Sequence, residues 1–364
     1  MRVHVVDPSA FTPPYDHALA RALAGAGAEV ELITSRFAYG PVAAPDGYAR
    51  RELFYRAAAR VRAPSLRRLV KVAEHVPDML RYRRAAARAQ VVHFQWLTLQ
   101  QLDWALLPRG RALVITAHDV LPREPRPGQV RGQRRLYKHF DAVVVHSEHG
   151  RGRLIGELGV EPERVHVIPH GVLEHLAGAP PGPPPVETEL PVVLCFGLMR
   201  PYKGIDLLLE AWRGIEGAEL WVAGMPRMDV APLEAMAPPG VRFFPRFIGD
   251  DELPAFFRRA DLVVLPYREI DQSGVLFTAL AFGRPLLLSD VGGFGEIAAT
   301  GAARTFPSGD PVALHEGIRG LLSDAPAREA MAARAVELAA GEYSWAEIGR
   351  RTLALYETLV SGAG

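Results

Sequence analysis

Arg200 and Lys203 have the types and the spacing to hold an anion. They lie in CFGLMRPYKGIDLLLEAW, Cys195 to Trp212, where an apolar run meets Gly197, the two cations follow, and Gly204 opens a helix-forming stretch. Arginine offers a planar fork and lysine a point charge, the two usual grips on phosphate oxygens. Neither G-x-x-x-x-G-K-[ST] nor G-x-G-x-x-G is present at this junction, so it is no Walker loop and no dinucleotide fingerprint. Taken alone, the segment suits a phosphate grip and a pair of solvated loop cations equally. A second anion site is encoded in REIDQSGVLFTALAFGRP: Gln272-Ser273-Gly274 opens a helix that stops at Gly283. Ser273 is expected as its N-cap, and Gly274 lets a ligand approach the backbone. The unpaired N–H groups of such a helix start attract negative charge.

Two further groups carry polar chemistry. His118 and Asp119 directly follow the apolar run ALVIT. The loop DPSAFTPPYDHALARAL holds Ser9, Tyr15, Asp16 and His17. These suit a hydroxylated ligand, although Asp16 could instead simply start a helix. No H-E-x-x-H, cysteine cluster or D-x-D occurs, so neither a metal nor another cofactor is expected. A departing diphosphate would then be neutralised by Arg, Lys and helix N-termini. The single cysteine, Cys195, sits in an apolar run and reads as a small buried hydrophobe.

The elements that must position these residues follow from an alternating pattern. Continuous Val/Leu/Ile runs recur: RVHVVD, EVELIT, VVHFQW, ALVITAHD, DAVVVHS and RVHVIPHG, then PVVLCFG, AELWVAG, VRFFPRF, DLVVLPY and RPLLLSD. Such runs fit strands buried on both faces of a parallel sheet. Helical stretches lie between them, which predicts an α/β fold with doubly wound parallel sheets. APPGPPP interrupts the alternation once and can be neither helix nor inner strand. The expected organisation is a first domain over 1–175, a Pro-rich linker over 176–190 and a second domain over 191–342. Ligands of open parallel sheets bind beyond the strands' carboxyl ends, where the polar groups above fall.

With these blocks in order, the second half resembles the nucleotide-sugar-binding domain of retaining glycosyltransferases of the GT-B fold, family 4. The resemblance runs through FGLMRPYKGIDLLLEAW, ELWVAG, FIGDDELPAFFRRADLVVLPY, QSGVLFTALAFGRPLLLSDVGG and SWAEI…LYETL; ITAHD, VVVHSE and VIPHGV carry it into the first half. It implies two Rossmann-like domains facing across a cleft, with the donor on the second, the acceptor on the first, and a terminal helix over 343–364 packing back on the first. Arg200 and Lys203 then resemble the diphosphate cations. Gly197 and the loop Gln272, Ser273, Gly274 and Val275 resemble the part that meets the distal phosphate and sugar. Phe247 and Ile248 resemble the base-contacting turn, and His118 the histidine near the transferred sugar. The family usually places a glutamate at each of two positions that align to Ile270 and Thr278. Glu269 and Asp271 flank the first and are expected to substitute, while Thr278 would grip ribose weakly.

The resemblance implies transfer of a sugar from a nucleoside-diphosphate sugar to an acceptor hydroxyl, with retention and without a metal. Two other readings stay open: an inverting transferase with His17 or Asp16 as base, and a silent nucleotide-sugar-binding partner protein. The acceptor side, Ser9, Tyr15, Asp16, His17 and Asp119, would take a small molecule, a glycan or a lipid-linked acceptor. Between Arg50 and Arg88 stand twelve basic residues and three acidic ones, nine surplus positive charges on a chain whose net charge is +1. The apolar residues Leu66, Leu69, Val70 and Val72 are spaced among them. A basic amphipathic surface of this kind suits anionic lipid, and a solvated helical face equally. No nucleic-acid partner is expected. The N-terminus is too soon broken by Pro8 for a signal peptide. The expected location is cytoplasmic, with peripheral contact at the inner face of a membrane.

Overall fold

The computed structural model describes residues 1–37, 40, 42–121, 127–180 and 182–362. The chain divides into two compact units, Met1–Pro169 with Trp345–Gly364, and His170–Ser344. The first contains β1 (Arg2–Asp7), α1 (Pro13–Gly25), β2 (Glu29–Ser35), β3 (Ala49–Phe54), α2 (Pro64–Ala85), β4 (Val91–Phe94) and α3 (Gln100–Leu106), then β5 (Ala112–Thr116), α4 (Gln129–Tyr137), β6 (Ala142–Val145), α5 (Glu148–Leu158) and β7 (Val165–Val167). Its seven strands form one parallel sheet in the order β3-β2-β1-β4-β5-β6-β7.

The second unit contains α6 (Glu174–Ala177), β8 (Val192–Phe196), α7 (Ile205–Ala211), β9 (Glu219–Ala223), α8 (Ala231–Met236), β10 (Val241–Phe244) and α9 (Leu253–Arg259). It continues with β11 (Leu262–Leu265), α10 (Gly274–Ala281), β12 (Leu286–Ser289), α11 (Phe294–Ala299), β13 (Ala303–Phe306), α12 (Pro311–Ser323) and α13 (Ala325–Ala340). Its parallel sheet runs β10-β9-β8-β11-β12-β13. The last helix, α14 (Trp345–Ser361), belongs to the first unit. There the Tyr356 hydroxyl meets His93 Nδ1 at 2.6 Å, and Arg351 donates to the Val167 carbonyl at 3.2 Å.

The continuous apolar runs form because successive side chains of an inner strand enter two different layers. On β8, Val192 and Leu194 pack with Phe256, Phe257 and Leu280, while Val193 and Cys195 pack with Leu208, Trp212 and Leu314. Two strands lie outside the apolar runs. β3 and β13 are edge strands whose outward positions are exposed, and their sequences ARRELF and ARTF carry charge there.

The Pro-rich stretch is held against the second unit. Arg258 donates to the carbonyls of Ala177, Ala179 and Pro180, and Arg259 to those of Thr188 and Leu190. Leu176 is buried in that unit's core. The change of unit therefore falls at Pro169 and His170, ahead of the 175 read from the sequence. Backbone carbonyls that proline cannot pair in a ladder are satisfied here by guanidinium forks.

Candidate functional site

In each sheet the strand order reverses once, between β1 and β4 and between β8 and β11. Ligands of such sheets bind outside the carboxyl ends of the strands at that point. In the second unit, Gly197 follows β8 and Tyr267 follows β11 by two residues. Gly197 adopts φ +115°, and its N–H donates to the Ala223 carbonyl at 2.9 Å. The turn lies so close to β9 that a Cβ on Gly224 would stand 2.0 Å from the Gly197 carbonyl oxygen. Residues Pro201–Lys203 make one 3-10 turn, closed by Gly204 at φ +66°. A Cβ there would lie 2.0 Å from the Pro266 carbonyl oxygen, so only glycine admits this approach.

That turn delivers the two cations differently. Lys203 is 7% exposed; its Nζ donates to the Tyr267 hydroxyl and stands 3.8 Å from that ring's centroid. Arg200 is exposed and makes no side-chain hydrogen bond or ion pair among the described residues. Arg268 fastens the turn from below: its N–H donates to the Tyr202 carbonyl at 2.8 Å. Its guanidinium reaches the Pro201 carbonyl at 2.8 Å and both Asp206 oxygens at 2.9 and 2.7 Å. Asp206 is held below the usual carboxylate range by that guanidinium. Burial pushes the Cys195 thiol up to about 12 against the opposing pull of Lys203, so it is an inert core group.

The loop before α10 meets the same place. The Tyr267 hydroxyl lies 3.4 Å from Ser273 Oγ, and Val275 Cγ2 would be 3.0 Å from a Cβ on Gly197. The segments 197–204 and 267–275 therefore make one site. Ser273 does not cap its helix as expected: no side-chain cap bond forms, because the hydroxyl faces Tyr267. The N–H groups of Gly274 and Val275 consequently find no acceptor among the described residues, and the space beside Gly274 is open. Gln272 is half-buried, and its Oε1 accepts from the Ser273 N–H at 3.2 Å.

The flanking positions are divided. Glu269 is exposed and Asp271 is 8% exposed, while Ile270 between them is buried in the core. Thr278 is 4% exposed and its hydroxyl donates to the Gly274 carbonyl of its own helix at 2.9 Å. Phe247 is 62% exposed, whereas Ile248 beside it is a core residue. Tyr267, Arg268 and Asp206 were not singled out in the sequence. A tyrosine closing an apolar strand reads as core, and only the adjacency of β8 and β11 shows what it touches.

In the first unit, His118 follows β5 and is half-buried. Its ring stacks on Trp96 at 4.9 Å and takes the edge of Tyr15 at 4.7 Å. Its tautomer is set from behind. His146 is buried, burial lowers it to about 4, and its Nδ1 donates to the Ile168 carbonyl at 3.0 Å. The neutral His146 Nε2 is then an acceptor for His118 Nδ1–H, 3.3 Å away. A neutral His118 carries its lone pair on Nε2, beside the Gln95 amide at 3.2 Å. Gln95 Nε2 is buried without a partner among the described residues, and turning the amide supplies that donor.

The other acceptor-side residues occupy varied settings. Tyr15 is a core ring, 5% exposed and packed also on Trp345, so it buttresses His118 rather than presenting its hydroxyl. Asp16 is 2% exposed, and burial first, then the Asp7 charge, raises it well above the usual carboxylate range. His17 is lowered to about 4 by burial and then Arg50, with its Nδ1 on the Tyr48 hydroxyl. Asp119 is half-buried. Ser9 Oγ meets Thr98 Oγ1 at 2.9 Å and accepts from Lys71 Nζ at 3.0 Å. Behind them the Tyr55 hydroxyl, His75 and Asp103 continue a buried polar chain that spacing does not reveal.

Two parallel-sheet Rossmann-like units, each carrying its polar groups at the switch point, define a protein of the GT-B class. The family model described as Glycosyltransferase Family 4 matches residues 15–173, and that described as Glycosyl transferases group 1 matches 190–324. A D-inositol 3-phosphate glycosyltransferase 1 of Catenulispora acidiphila is 30% identical over 315 residues, 77% of this chain and 74% of the relative. A D-inositol 3-phosphate glycosyltransferase of Kineococcus radiotolerans is 26% identical over 309 residues, 73% of this chain and 68% of the relative. Among solved structures, sucrose-phosphate synthase of Thermosynechococcus elongatus aligns with TM-score 0.79 at 18% identity over 100% of both chains. HepE of Anabaena in complex with UDP-glucose aligns with TM-score 0.72 at 18% identity, over 99% of this chain and 100% of the other. The chain belongs to glycosyltransferase family 4 and is a glycosyltransferase.

Proposed function

We propose that this enzyme moves a glycosyl group from a nucleoside-diphosphate sugar to an acceptor hydroxyl with retention of configuration and without a metal. One observation carries the reading: Lys203, Tyr267, Ser273 and the open start of α10 converge on the Gly197 turn at the β8/β11 switch point. The likeness to HepE, whose structure is in complex with UDP-glucose, supports a nucleotide donor.

In the proposed step the bond from the anomeric carbon to the diphosphate oxygen breaks as the acceptor oxygen bonds the same face. The acceptor proton passes to the departing phosphate oxygen. Lys203, Arg200 and the Gly274 and Val275 N–H groups meet the negative charge as it forms. On the acceptor side, His118 with its lone pair on Nε2, Asp119 and Ser9 are the proposed contacts. Lys71 beside Ser9 suits an anionic acceptor, in keeping with relatives named for D-inositol 3-phosphate. A lipid-linked acceptor would be met through the region 50–88, and the proposed location is the cytoplasm and the inner face of its membrane.

The test is a thermal-shift screen of nucleoside diphosphates and their sugars, because a bound donor raises the native state's stability. Proton NMR of the product made in EDTA follows. A donor that raises the melting temperature and a product with the donor's anomeric configuration are expected. An inverted product, or activity that EDTA abolishes and a divalent cation restores, would overturn the reading.

A further inference from the structure

A chain of hydrogen bonds runs from the interior of the first unit to its surface, and its inner members take no part in the transfer step. At the inner end Asp103 of α3 is fully buried and accepts hydrogen bonds from the Leu99 N–H at 2.8 Å and from His75 Nε2 at 2.5 Å. His75 of α2 is fully buried too, and its Nδ1 stands 2.6 Å from the Tyr55 hydroxyl. That hydroxyl lies 3.1 Å from Thr98 Oγ1, which in turn lies 2.9 Å from Ser9 Oγ. Lys71 Nζ closes the outer end, 3.0 Å from Ser9 Oγ and 4.7 Å from the centroid of the Tyr55 ring. Thr98 is exposed, and Ser9 and Lys71 are half-buried. Ser9 follows β1 and Thr98 follows β4, so the chain surfaces at the switch point of the first sheet, where ligands bind.

Several features set this chain apart from polar groups that merely satisfy one another in a core. Its backbone is strained at two places. Tyr55 at φ +54° and Ala10, next to Ser9, at φ +48° are the non-glycine residues in the left-handed region among the described residues. Such conformations persist where the surroundings impose them, and they gather at ligand clamps. The inner end is a buried carboxylate on an imidazole, a place that apolar side chains of the same shape would fill without loss of stability. The outer end is a cation attached to the Ser9 oxygen and the Tyr55 ring, with no ion pair among the described residues. The chain also carries direction. Each hydroxyl has a single hydrogen to give, so fixing Tyr55 on His75 fixes Thr98, and fixing Thr98 fixes Ser9. Without that backing the exposed Thr98 and half-buried Ser9 hydroxyls would turn freely in water.

We propose that Asp103, His75 and Tyr55 are positioning residues: through Thr98 they hold the Ser9 hydroxyl and the Lys71 ammonium as one rigid pair of contacts for a phosphate oxygen of the acceptor. The inference deepens the acceptor side of the proposed function and rests on that reading only in calling the ligand an acceptor.

The test uses the full chain, labelled at its histidine ring nitrogens for NMR, with inorganic phosphate as the probe. The His75 signals, assigned by their loss in His75→Gln, report on this site and not on the donor site of the second unit. Phosphate is expected to shift them in the parent, and Lys71→Met to abolish the shift. Thr98→Val breaks the chain at an exposed position. It should raise the phosphate Kd about tenfold, the size of a hydrogen bond to a charged group, at unchanged melting temperature. Thr98→Ser keeps the hydroxyl and should hold the Kd within about twofold of the parent. Tyr55→Phe should raise it by the same factor as Thr98→Val, and the two together no further, because both act through Ser9. A His75 indifferent to phosphate, a shift that survives Lys71→Met, a Kd unmoved by Thr98→Val or raised equally by Thr98→Ser, or additive effects of Thr98→Val and Tyr55→Phe would overturn the proposal. So would a Tyr55→Phe chain that loses melting temperature but keeps its phosphate Kd. Absence of transfer from any nucleoside-diphosphate sugar, with these phosphate results intact, would instead sink the proposed function and leave the positioned pair standing.

Discussion

Replacing Lys203 by methionine removes one buried positive charge while keeping nearly the same shape. The ammonium donates to the Tyr267 hydroxyl and lies 3.8 Å from the ring centroid. A hydrogen bond to a charged group contributes about 1.5–3 kcal/mol and a cation–π contact about 0.5–2. Against this stands a desolvation cost of several kcal/mol for a buried ammonium. The terms nearly cancel, so folding stability should move by about 1 kcal/mol in either direction, or about 2–4 °C in a unit of this size. Activity should not cancel. A positioned donor facing charge that develops in the reaction contributes about 100- to 1000-fold in kcat. The expected signature is therefore a fall of two to three orders of magnitude in kcat beside a small shift in Tm. Lys203→Arg keeps the charge but should recover little. The site allows only 3.8 Å between Nζ and the place of a Gly197 Cβ. Nucleoside-diphosphate release gives kcat and scanning fluorimetry gives Tm. A methionine variant with kcat within about threefold of the parent would refute the clamp, since that is under 1 kcal/mol of barrier.

His146→Phe keeps the ring and deletes the acceptor that orients His118, so kcat should fall about tenfold with donor KM unchanged. Because burial lowers His146 from 6.5 to about 4, its neutral form contributes stability that is complete above pH 6.5 and lost as pH falls toward 4. That loss is about 3 kcal/mol, and urea melts of the variant should lack it. Asp16→Asn has the opposite sign. Asp16 is raised in the fold, so its stabilising contribution is present below its unfolded value near 3.8 and is lost as pH rises through the folded one. The variant should therefore be more stable than the parent at pH 8 and lose that advantage near pH 4, again by urea melts; equal destabilisation at both would refute the raised carboxyl. Gly204→Ala forces a Cβ to 2.0 Å from the Pro266 carbonyl oxygen at φ +66°, and should cost about 2–3 kcal/mol or more in a thermal melt.

What was legible in the sequence followed from periodicity and from punctuation. Runs such as PVVLCFG and DLVVLPY announce inner strands because both faces of each sheet are covered, and the residues after them fall where ligand loops must lie. The edge strands β3 and β13 escaped because half of their positions meet water. The cations were visible, yet their surroundings were not: Tyr267 lies 64 residues from Lys203 and meets it only because β8 and β11 are neighbours. Polarity alone does not reveal the burial at α1, where Tyr15 and Asp16 read from the sequence as ligand contacts. Tyr15 and Leu19 share one buried face of that helix, and Asp16 turns to Asp7, whose carboxylate also collects the N–H groups of Ser9, Phe11 and Thr12. Proline content misled at 176–190, since free carbonyls can be satisfied by arginines far along the chain.

Under the proposed function, the unequal settings of the two cations predict unequal roles. Lys203 is buried and fixed on Tyr267 before any donor arrives, so its charge needs no reorganisation when the diphosphate departs, and it should act chiefly on kcat. Arg200 is exposed, two residues after Leu198, which is itself 41% exposed. Ordering a long guanidinium side chain costs about 2 kcal/mol of rotamer freedom, and that cost falls on the binding step. An interaction formed on binding and kept in the transition state lowers KM without raising kcat. Arg200→Ala should therefore raise donor KM about tenfold while kcat holds, the reverse of the Lys203 variant. In the proposed step, two cations three residues apart on one turn would thus divide the work of capture and departure, because one side chain is buried and the other exposed.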